Sequence, residues 1–422
     1  MRVRTTKRVL MVVENCPYLQ DPRVRKEAEA LVSAGYRISV ICPGRSGEPW
    51  HEQLGNVGLY RFSQWPSANN SVGYVMEYTW AMLSIALLSV LIWLREGFEI
   101  IHVANPPDVI VPILSVYKLL GKLIIYDQHD ICPELYAAKF GHNPYLYKML
   151  LLLERYSYRL ADHVIVTNES YKESALQRGR LPESKVTVVR NGPSLPNLGT
   201  ANVNPELRAK ARNIIAFAGV TGFQDGLDYL CRSLHYLRYE LHQENFYCIV
   251  MGDGDALEEI KALARDFRLD DKIWFAGWIS DPDLYAGYIS TADICVAPDP
   301  SNSYNDRSTF VKIMEYMAAR KPIVAFDLPE TRRSARTAAS YARPNEVASF
   351  AERLADLMTV PSLRRSMGEV GYMRVRDGLA WQYSVPKLLE VYAKVAKSSG
   401  EDATVTPSNQ QAEEEDCVVP TV

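Results

Sequence analysis

The stretch NDRSTFVKIMEYMA (residues 305–318), followed by the apolar run IVAF (residues 323–326), predicts a polar loop, a helix and a buried strand. Ser308 or Thr309 can cap this helix, whose first amide N–H groups have no internal partner and carry the positive end of the helix dipole. An anion is favoured at such a helix start. The stretch therefore predicts a phosphate-binding helix within an α/β sheet.

Two charged side chains of this helix suit a nucleotide. Lys312 and Glu315 lie three residues apart, on neighbouring sides of one turn. A cation beside the helix start suits a diphosphate, and a carboxylate one turn later suits the two hydroxyls of a ribose. The alternative is a surface helix that carries a solvated Lys/Glu pair, which is a far commoner arrangement.

Apolar runs alternate with helical segments along the chain, which predicts parallel sheets covered on both faces. The predicted strands of the first half are VLMVVE (9–14), YRISVIC (36–42), FEIIHV (98–103), KLIIYD (122–127) and HVIVTN (163–168), and those of the second half are NIIAFAG (213–219), YCIVMG (247–252), KIWFAG (272–277), ICVAP (294–298) and PIVAF (322–326). The segment between them, residues 188–207, is rich in Pro, Gly and Asn and predicts a hinge. The sequence thus predicts two Rossmann-like domains with a boundary near residue 196.

Composition excludes several classes of protein. A chain of 422 residues exceeds what one core usually holds, and 47% hydrophobic residues indicate a globular protein. The net charge of −3 gives no sign of the basic surface that a nucleic-acid-binding protein needs. Seven scattered cysteines without CxxC pairs predict a reducing compartment and no metal site. Because Glu14 follows the first short apolar run, we expect a strand there rather than an export signal, and a cytoplasmic protein.

Two segments stand apart from the sheet pattern. WAMLSIALLSVLIWL (residues 80–94) is shorter than the roughly 20 residues that a spanning helix needs, which predicts a buried core helix. The alternative is an interfacial helix resting on a bilayer, which would suit a lipid-linked acceptor. The tail of residues 398–422 is polar and acidic, which predicts disorder.

Glycine-containing turns follow two strands of the second half. In AFAGVTGFQDGLDYL (residues 216–230), Gly219 and Gly222 allow the backbone to approach a phosphate, although a purely structural turn is the alternative. VMGDGD (residues 250–255) has the same character, with Gly252 directly after its strand. These turns are candidate phosphate loops.

A histidine falls at the carboxyl end of a first-half strand, where ligands of open α/β sheets usually bind. It is His129, in YDQHDICPELY (residues 126–136). A structural histidine that pairs with Asp127 or Asp130 is an equally good interpretation of the sequence alone. Asp130 and Glu134 suit either an acceptor or the cap of the following helix.

Together these segments resemble the retaining glycosyltransferases of family 4, and the resemblance extends over most of the chain. It implies the GT-B fold, two facing Rossmann-like domains with an interdomain cleft. It also implies transfer of a hexosyl or N-acetylhexosaminyl group from a nucleotide-sugar to a glycan or polyprenyl-linked acceptor, without a metal or cofactor, in bacterial surface polysaccharide biosynthesis. The implied division is an acceptor-side domain (1–195), a donor domain (196–375) and terminal helices that cross back to the first domain (376–397).

The resemblance also implies roles for individual residues. His129 would face the donor sugar, while Lys312 and Glu315 would contact the diphosphate and the ribose. Asp130 and Glu134 would lie on the acceptor side. The implied donor-binding residues are Gly219, Gly222, Gly252, Gly277, Trp278, Asp306, Arg307, Ser308 and Thr309.

Three positions depart from the family pattern. Val220 and Asp225 stand near places where many members have an arginine and a lysine, and Arg307 stands where the first of two glutamates is common. These departures keep two other functions open: a non-catalytic nucleotide-sugar-binding partner, and a nucleotide-sugar epimerase with the same fold. An epimerase needs a further carboxylate cluster around the sugar, and none stands out in the sequence.

Overall fold

The computed structural model describes residues 7–65, 71–141, 143–194 and 201–398. The chain forms two α/β lobes, each built on its own sheet. The two-domain fold predicted from the sequence is confirmed. The boundary near residue 196 and the tail beyond Ser398 lie outside the described residues, so the predictions about them stay predictions.

The N-terminal lobe contains an eight-stranded sheet in the order β3-β4-β2-β1-β5-β6-β7-β8. Only β3 is antiparallel to its neighbour. The strands are β1 (Arg8–Val12), β2 (Arg37–Gly44), β3 (His51–Leu54), β4 (Val57–Ser63), β5 (Ile100–Ala104), β6 (Leu123–Gln128), β7 (His163–Val166) and β8 (Val186–Val188). The strand order reverses between β1 and β5, the kind of point at which open α/β sheets bind ligands.

Helices cover both faces of this sheet. They are α1 (Pro22–Ser33), α2 (Ser71–Arg95), α3 (Ile110–Leu114), α4 (Cys132–Phe140), α5 (Pro144–Leu160) and α6 (Glu169–Gly179). Residues of α2, α3, α5 and α6 share one hydrophobic core with one face of the sheet, whereas α1 packs on the other face. A 3-10 helix (Ser115–Leu120) follows α3 in the first of these two layers.

The C-terminal lobe contains a six-stranded, fully parallel sheet in the order β11-β10-β9-β12-β13-β14. Its strands are β9 (Asn213–Ala218), β10 (Phe246–Met251), β11 (Ile273–Gly277), β12 (Ile294–Ala297), β13 (Ile323–Phe326) and β14 (Ala339–Ala342). The helices from residue 205 onward are α7 (Pro205–Arg208), α8 (Leu227–Tyr239), α9 (Leu257–Asp266), α10 (Pro282–Thr291), α11 (Val311–Ala318), α12 (Pro329–Ala335), α13 (Val347–Thr359), α14 (Pro361–Arg374) and α15 (Val385–Ser398).

The last described helix returns to the first lobe. Leu388, Val391 and Tyr392 of α15 are buried in the core that contains Val9 of β1 and α1. The Tyr392 ring meets the Tyr36 ring edge-on, with centroids 5.4 Å apart. The two lobes are therefore joined by packing as well as by the chain between them.

The helix predicted over residues 80–94 differs from expectation. It runs from Ser71 to Arg95, and only 28% of its apolar window Met76–Arg95 is buried. Ala81, Ile85 and Ile92 face the core, while the opposite side is exposed. The prediction of a buried core helix is wrong, because apolar residues occupy the outer face as well as the inner one. By length and composition alone, this is the one helix in the described part of the chain that could cross a membrane.

Candidate active site

A cavity of about 230 Å³ lies between the two lobes. From the N-terminal lobe it is lined by His129, Asp130 and the start of α1, and from the C-terminal lobe by Tyr304 and residues 308–311. Asp21 fixes the start of α1, because its Oδ1 accepts hydrogen bonds from the first helical amides. The cavity thus joins the carboxyl end of β6 to the beginning of α11.

His129 is held from two sides. Its Nε2 lies 2.6 Å from Oδ2 of Asp127, and its backbone N–H donates to Oδ1 of Asn105 at 2.6 Å. Burial lowers the pKa of His129, but the Asp127 carboxylate outweighs burial and the net pKa is raised. The alternative pairing with Asp127 is therefore present, and the same imidazole also lines the cavity.

Asp127 is the centre of a buried charged network. The guanidinium of Arg23 donates to it through Nε at 3.0 Å and Nη2 at 2.7 Å. Burial raises the pKa of Asp127, but Arg23 and His129 hold it well below its usual range. Asp127 is therefore a carboxylate that orients the His129 ring.

The network continues to the C-terminal helix. His102 Nδ1 lies 2.8 Å from the Tyr392 hydroxyl of α15, and its Nε2 lies 3.3 Å from Glu27 and 3.5 Å from Asp127. Burial lowers the pKa of His102, but the neighbouring carboxylates of Asp127 and Glu27 raise it to about 9. A protonated His102 therefore balances part of the buried negative charge.

These residues also form a cluster with the spacing of a metal site. The ligand atoms of Glu27, His102 and Asp127 lie within 4.8 Å of one another. Arg23 pairs with both carboxylates, at 3.1 Å from Glu27 and 2.7 Å from Asp127. Because Arg23 and His102 already supply two positive charges, we assign the cluster to an ion-pair network rather than to a metal.

Asp130 connects the lobes. Its Oδ1 accepts a hydrogen bond of 2.6 Å from the Tyr304 hydroxyl of the C-terminal lobe. Burial raises the pKa of Asp130, although the Tyr304 hydrogen bond opposes this. Asp130 therefore both lines the cavity and closes one side of it.

Glu134 and Arg307 contact each other across the lobes instead of lining the cavity. Arg307 Nη1 lies 3.2 Å from Glu134 Oε1, and Arg178 forms a second, closer ion pair with the same carboxylate. The Tyr147 hydroxyl also donates to Glu134, at 3.1 Å. A predicted acceptor-side residue and a predicted donor-side residue are thus partners of one interlobe ion pair.

The start of α11 differs from its predicted form. Phe310 is the N-cap residue and no side chain caps the helix, so the predicted cap by Ser308 or Thr309 is wrong. Ser308 Oγ donates instead to the carbonyl of Tyr304 at 2.9 Å, and Thr309 Oγ1 lies 3.5 Å from Glu330 Oε2. Because no side chain in the described part of the chain accepts from its first amides, the helix start that lines the cavity retains its preference for an anion.

Lys312 is not among the residues that line the cavity, and its side chain is already paired. Its Nζ lies 2.7 Å from Asp299 Oδ1 and 4.6 Å from the centroid of the Phe217 ring. The other oxygen of Asp299 is buried and has no hydrogen-bond partner among the described residues. Burial raises the pKa of Asp299, although Lys312 opposes this.

The glycine turns meet beside Lys312. An ideal Cβ at Gly219 would lie 3.8 Å from Lys312 Nζ, and one at Gly252 would lie 1.8 Å from the Gly219 carbonyl oxygen. The Gly222 amide donates to Asp225 at 2.9 Å. Burial raises the pKa of Asp225 to about 6, although Lys312 opposes this. The close approach of the two turns explains glycine at position 252.

Glu315 is held by a tyrosine from the neighbouring helix. The Tyr285 hydroxyl donates to its Oε2 at 2.8 Å. Burial raises the pKa of Glu315, opposed by that hydrogen bond and by the positive charge of Lys26 on α1. Lys26 itself donates to the Gly192 carbonyl at 2.9 Å. The start of the second lobe's ribose site, predicted at Glu315, is therefore close to α1 of the first lobe.

The remaining predicted donor residues surround this region. The Gly252 amide donates to the Gly277 carbonyl at 2.8 Å, which brings the turn after β11 next to the turn after β10. Trp278 is 61% exposed. Asp306 Oδ2 accepts from the Ser301 hydroxyl at 3.1 Å, so this carboxylate supports its own loop.

The structure thus places the predicted residues in two groups. Ser308 and Thr309 line the cavity together with His129 and Asp130. The glycine turns gather around Lys312. Sequence reasoning missed the orienting residues, which are Arg23, Glu27, His102 and Asp299. The i, i+4 spacing of Arg23 and Glu27 was the one local signal that could have indicated part of this network.

Two family matches cover both lobes. Residues 23–195 match the family described as Glycosyltransferase Family 4, and residues 212–360 match the family described as Glycosyl transferases group 1. The chain belongs to the family 4 glycosyltransferases. This family 4 glycosyltransferase has the GT-B fold, since solved structures of that fold align with nearly all of it.

Sucrose-phosphate synthase from Thermosynechococcus elongatus is 16% identical, with a TM-score of 0.76 over 93% of this chain and 100% of that one. HepE of Anabaena, solved in complex with UDP and glucose, is 13% identical, with a TM-score of 0.69 over 92% and 100% of the two chains. Among curated proteins, the teichuronic acid biosynthesis glycosyltransferase TuaH of Bacillus subtilis is 23% identical over 225 residues. That match spans 51% of this chain and 54% of TuaH.

Proposed function

We propose that this family 4 glycosyltransferase transfers a sugar from a nucleotide-sugar to a glycan or lipid-linked acceptor, with retention of anomeric configuration, in bacterial surface polysaccharide biosynthesis. One observation carries the proposal: His129 of the first lobe and the start of α11 in the second line the same interlobe cavity. The likeness to TuaH favours polysaccharide synthesis. The complex of HepE with UDP and glucose makes UDP-sugars the first donors to test.

The donor diphosphate would bind at the start of α11 without a metal. The helix dipole and the free amides of the first turn favour an anion there. Lys312 adds a positive charge, but it is shared with Asp299 at 2.7 Å. Burial raises the pKa of both Asp299 and Asp225, although Lys312 opposes this in each case, so a diphosphate would compete with these carboxylates for the positive charge of Lys312.

The sugar and the ribose would be held from opposite lobes. Glu315, oriented by Tyr285, would accept hydrogen bonds from the ribose hydroxyls. His129, fixed by Asp127, would hydrogen-bond the sugar and orient it. The leaving diphosphate would be stabilised by the preorganised groups at α11, which supplies the electrostatic part of catalysis. In this proposal the donor phosphate, rather than His129, assists removal of the acceptor proton.

A second candidate is a non-catalytic nucleotide-sugar-binding partner. One observation favours it: both cations expected at the donor phosphates are already paired, Lys312 with Asp299 and Arg307 with Glu134. Such a protein would bind the donor without releasing the nucleoside diphosphate.

The two candidates differ in turnover. We would incubate the enzyme with UDP-, GDP- and ADP-sugars, with and without a membrane extract as the acceptor source, and measure release of nucleoside diphosphate. We expect acceptor-dependent release from one donor class. We also expect a loss of roughly 100-fold in His129→Gln, because the donor sugar is no longer held in the reactive orientation. His235→Gln, on α8 of the second lobe, is the matched control. Donor binding without release in the wild type would favour the binding partner.

We also propose that the enzyme works in the cytoplasm at the inner face of the membrane, where lipid-linked acceptors are presented. The exposed outer face of α2 supports peripheral contact of this kind.

A further inference from the structure

The outer side of α2 carries a continuous apolar stripe. Six exposed apolar side chains alternate at spacings of four and three residues, which places them along one side of the helix. They are Met76, Trp80, Leu83, Leu87, Val90 and Leu94. Leu87 is 71% exposed. Exposed apolar surface of this extent in a soluble lobe marks a place where another molecule or a membrane binds.

Two neighbouring segments extend this surface. In the 3-10 helix, Val116, Leu119 and Leu120 are exposed. On α5, four exposed residues repeat the four-three spacing, and they are Tyr145, Met149, Leu152 and Tyr156. We call the α2 stripe, the three residues of the 3-10 helix and the α5 stripe the apolar face.

The three segments belong to one layer of the N-terminal lobe. The Ser89 hydroxyl of α2 lies 3.0 Å from that of Tyr117 in the 3-10 helix. Lys118 of the same 3-10 helix donates to the Leu160 carbonyl at the end of α5, at 2.9 Å. All three segments cover the same side of the sheet. Their outward residues therefore face the same direction and form one surface.

The fully exposed charges on this surface have a single sign, and Glu77 of α2 is half-buried. Lys148, Arg155 and Arg159 are exposed on α5 between and beside its apolar residues, and Arg95 is exposed at the end of α2. Among the described residues of α2, α5 and the 3-10 helix, no exposed residue is an aspartate or a glutamate. A partner for this surface must therefore accept apolar and aromatic side chains and carry negative charge.

We propose that the apolar face docks on the surface of an anionic lipid bilayer. Leucines enter the acyl boundary, aromatic rings such as Trp80 and Tyr145 lie at the headgroup level, and the basic side chains of α5 meet anionic headgroups. The proposal rests on the proposed function in one respect, since a bilayer is where a lipid-linked acceptor resides. The docked lobe is the one that carries His129.

A second copy of the chain fits this surface less well. A two-fold interface places the same patch on both subunits, so two sets of basic residues from α5 would share one interface. The described residues of these segments offer no exposed carboxylate to pair with them. An anionic bilayer has no such conflict. Charge complementarity therefore decides between the two occupants.

Vesicle flotation of the full chain tests the proposal. We expect the protein to float with phosphatidylglycerol-rich vesicles and far less with phosphatidylcholine vesicles, and to dissociate as salt is raised. The double substitution Leu83→Glu/Leu87→Glu should abolish flotation. Lys148→Glu/Arg155→Glu should weaken binding to anionic vesicles by roughly 30-fold or more, because each basic residue near the surface contributes about 1 kcal/mol.

The matched control is Leu363→Glu/Val370→Glu on α14 of the second lobe, where both residues are exposed to a similar degree as Val90. It should float like the wild type. Each variant is first checked for an unchanged melting temperature, since all the substituted side chains are exposed.

Two results would overturn the proposal. One is wild-type protein that stays with the soluble fraction at every vesicle composition. The other is a dimer in sedimentation analysis that Leu87→Glu dissociates, which would assign the face to a second copy. Nucleotide binding, measured on the same samples without vesicles, separates the two proposals: flotation without nucleotide binding would count against the proposed function and leave the docking surface intact.

Discussion

The Nζ atom of Lys312 lies 2.7 Å from Oδ1 of Asp299, and both side chains are buried. The lysine proposed to meet the donor diphosphate therefore has a carboxylate partner before any ligand binds. A diphosphate near α11 would add a second negative group beside Lys312, and it would compete with Asp299 for the charge of that lysine. This relationship makes donor binding depend on a buried ion pair.

Removal of the Asp299 carboxylate should destabilise the free protein and increase the stabilisation that a bound nucleotide gives. In Asp299→Asn, Lys312 is left buried without a counter-charge, so we expect the free energy of unfolding to fall by about 3 kcal/mol. Nucleoside diphosphate should then stabilise the variant more than the wild type, because the phosphate replaces the missing charge. Urea unfolding with and without nucleotide measures both effects. Glu369→Gln is the control, because it breaks an exposed pair with Arg320 and should lower the free energy of unfolding by at most about 1 kcal/mol. A nucleotide-induced gain in unfolding free energy that is equal in Asp299→Asn and the wild type would contradict the expectation.

Two glycines of the donor loops should respond differently to alanine. Gly252 has φ of 144°, and a Cβ there would lie 1.8 Å from the Gly219 carbonyl oxygen. Gly277 has φ of 71° with nothing within 4 Å. We expect Gly252→Ala to cost roughly 3–5 kcal/mol, from strain and a backbone clash, and Gly277→Ala about 1–2 kcal/mol, from strain alone. Similar unfolding free energies for the two variants would show that the turns do not approach each other this closely.

His102 should make the free energy of unfolding fall as the pH rises above neutrality. Burial lowers its pKa, but Asp127 and Glu27 raise it to about 9, above the value of roughly 6.5 of an unfolded histidine. The folded state therefore binds more protons than the unfolded state between pH 6.5 and 9. The stabilisation from His102 is complete below about pH 6.5 and is lost as pH rises towards 9.

The comparison is between wild type and His102→Gln, by urea unfolding from pH 5 to 10. The difference in unfolding free energy between the two proteins should shrink as pH rises through this window. His163→Gln is the comparison variant, because burial lowers the pKa of His163 to about 4. The contribution of His163 to the free energy of unfolding should therefore change below about pH 6.5 and not in the alkaline range. A difference between wild type and His102→Gln that does not vary with pH would refute the assigned protonation.

The hydrogen bond between Tyr304 and Asp130 should couple the lobes. Tyr304→Phe removes a 2.6 Å bond to a buried carboxyl group, which we expect to cost about 1.5–3 kcal/mol and to increase the radius of gyration in solution. Tyr341→Phe is the control, since its hydroxyl bonds to Arg336 within one lobe at 2.7 Å. Small-angle scattering and urea unfolding report the two effects. An unchanged radius of gyration in Tyr304→Phe would argue that other contacts close the cavity.

Nine of the ten strands predicted from the sequence are largely buried, and β11 is only half-buried. The buried strand β4 was missed because Gly, Tyr, Arg and Ser interrupt its apolar residues. Most buried strands are apolar runs, as in IVAF of β13, and all ten predicted strands are confirmed. The strands missed were β3, β4, β8 and β14. Among these, HEQL of β3 is a polar edge strand, and VTV of β8 and ASYA of β14 are too short to show a pattern. Their strand character comes from pairing with neighbours.

A site residue could be predicted only where the neighbouring sequence fixes its place in the fold. His129 follows a strand, so its place at the sheet edge could be inferred. Its orienting partners could not, because Arg23 and Asp127 are 104 residues apart and meet only through the order of the sheet. The predicted cap of α11 failed because Ser308 donates instead to the Tyr304 carbonyl, four residues earlier. Ser308 also contacts the Tyr171 hydroxyl of the first lobe, and this tertiary contact is not visible in the sequence.

Calorimetric titration with UDP, GDP and ADP tests the proposed donor site most directly, with Glu315→Gln beside the exposed control Glu346→Gln. We predict that one nucleotide class binds the wild type, that Glu315→Gln weakens it by roughly 10- to 100-fold through loss of a hydrogen-bonded carboxylate, and that Glu346→Gln does not. Absence of binding for all three nucleotides, or an affinity that Glu315→Gln leaves unchanged, would contradict a donor site at α11.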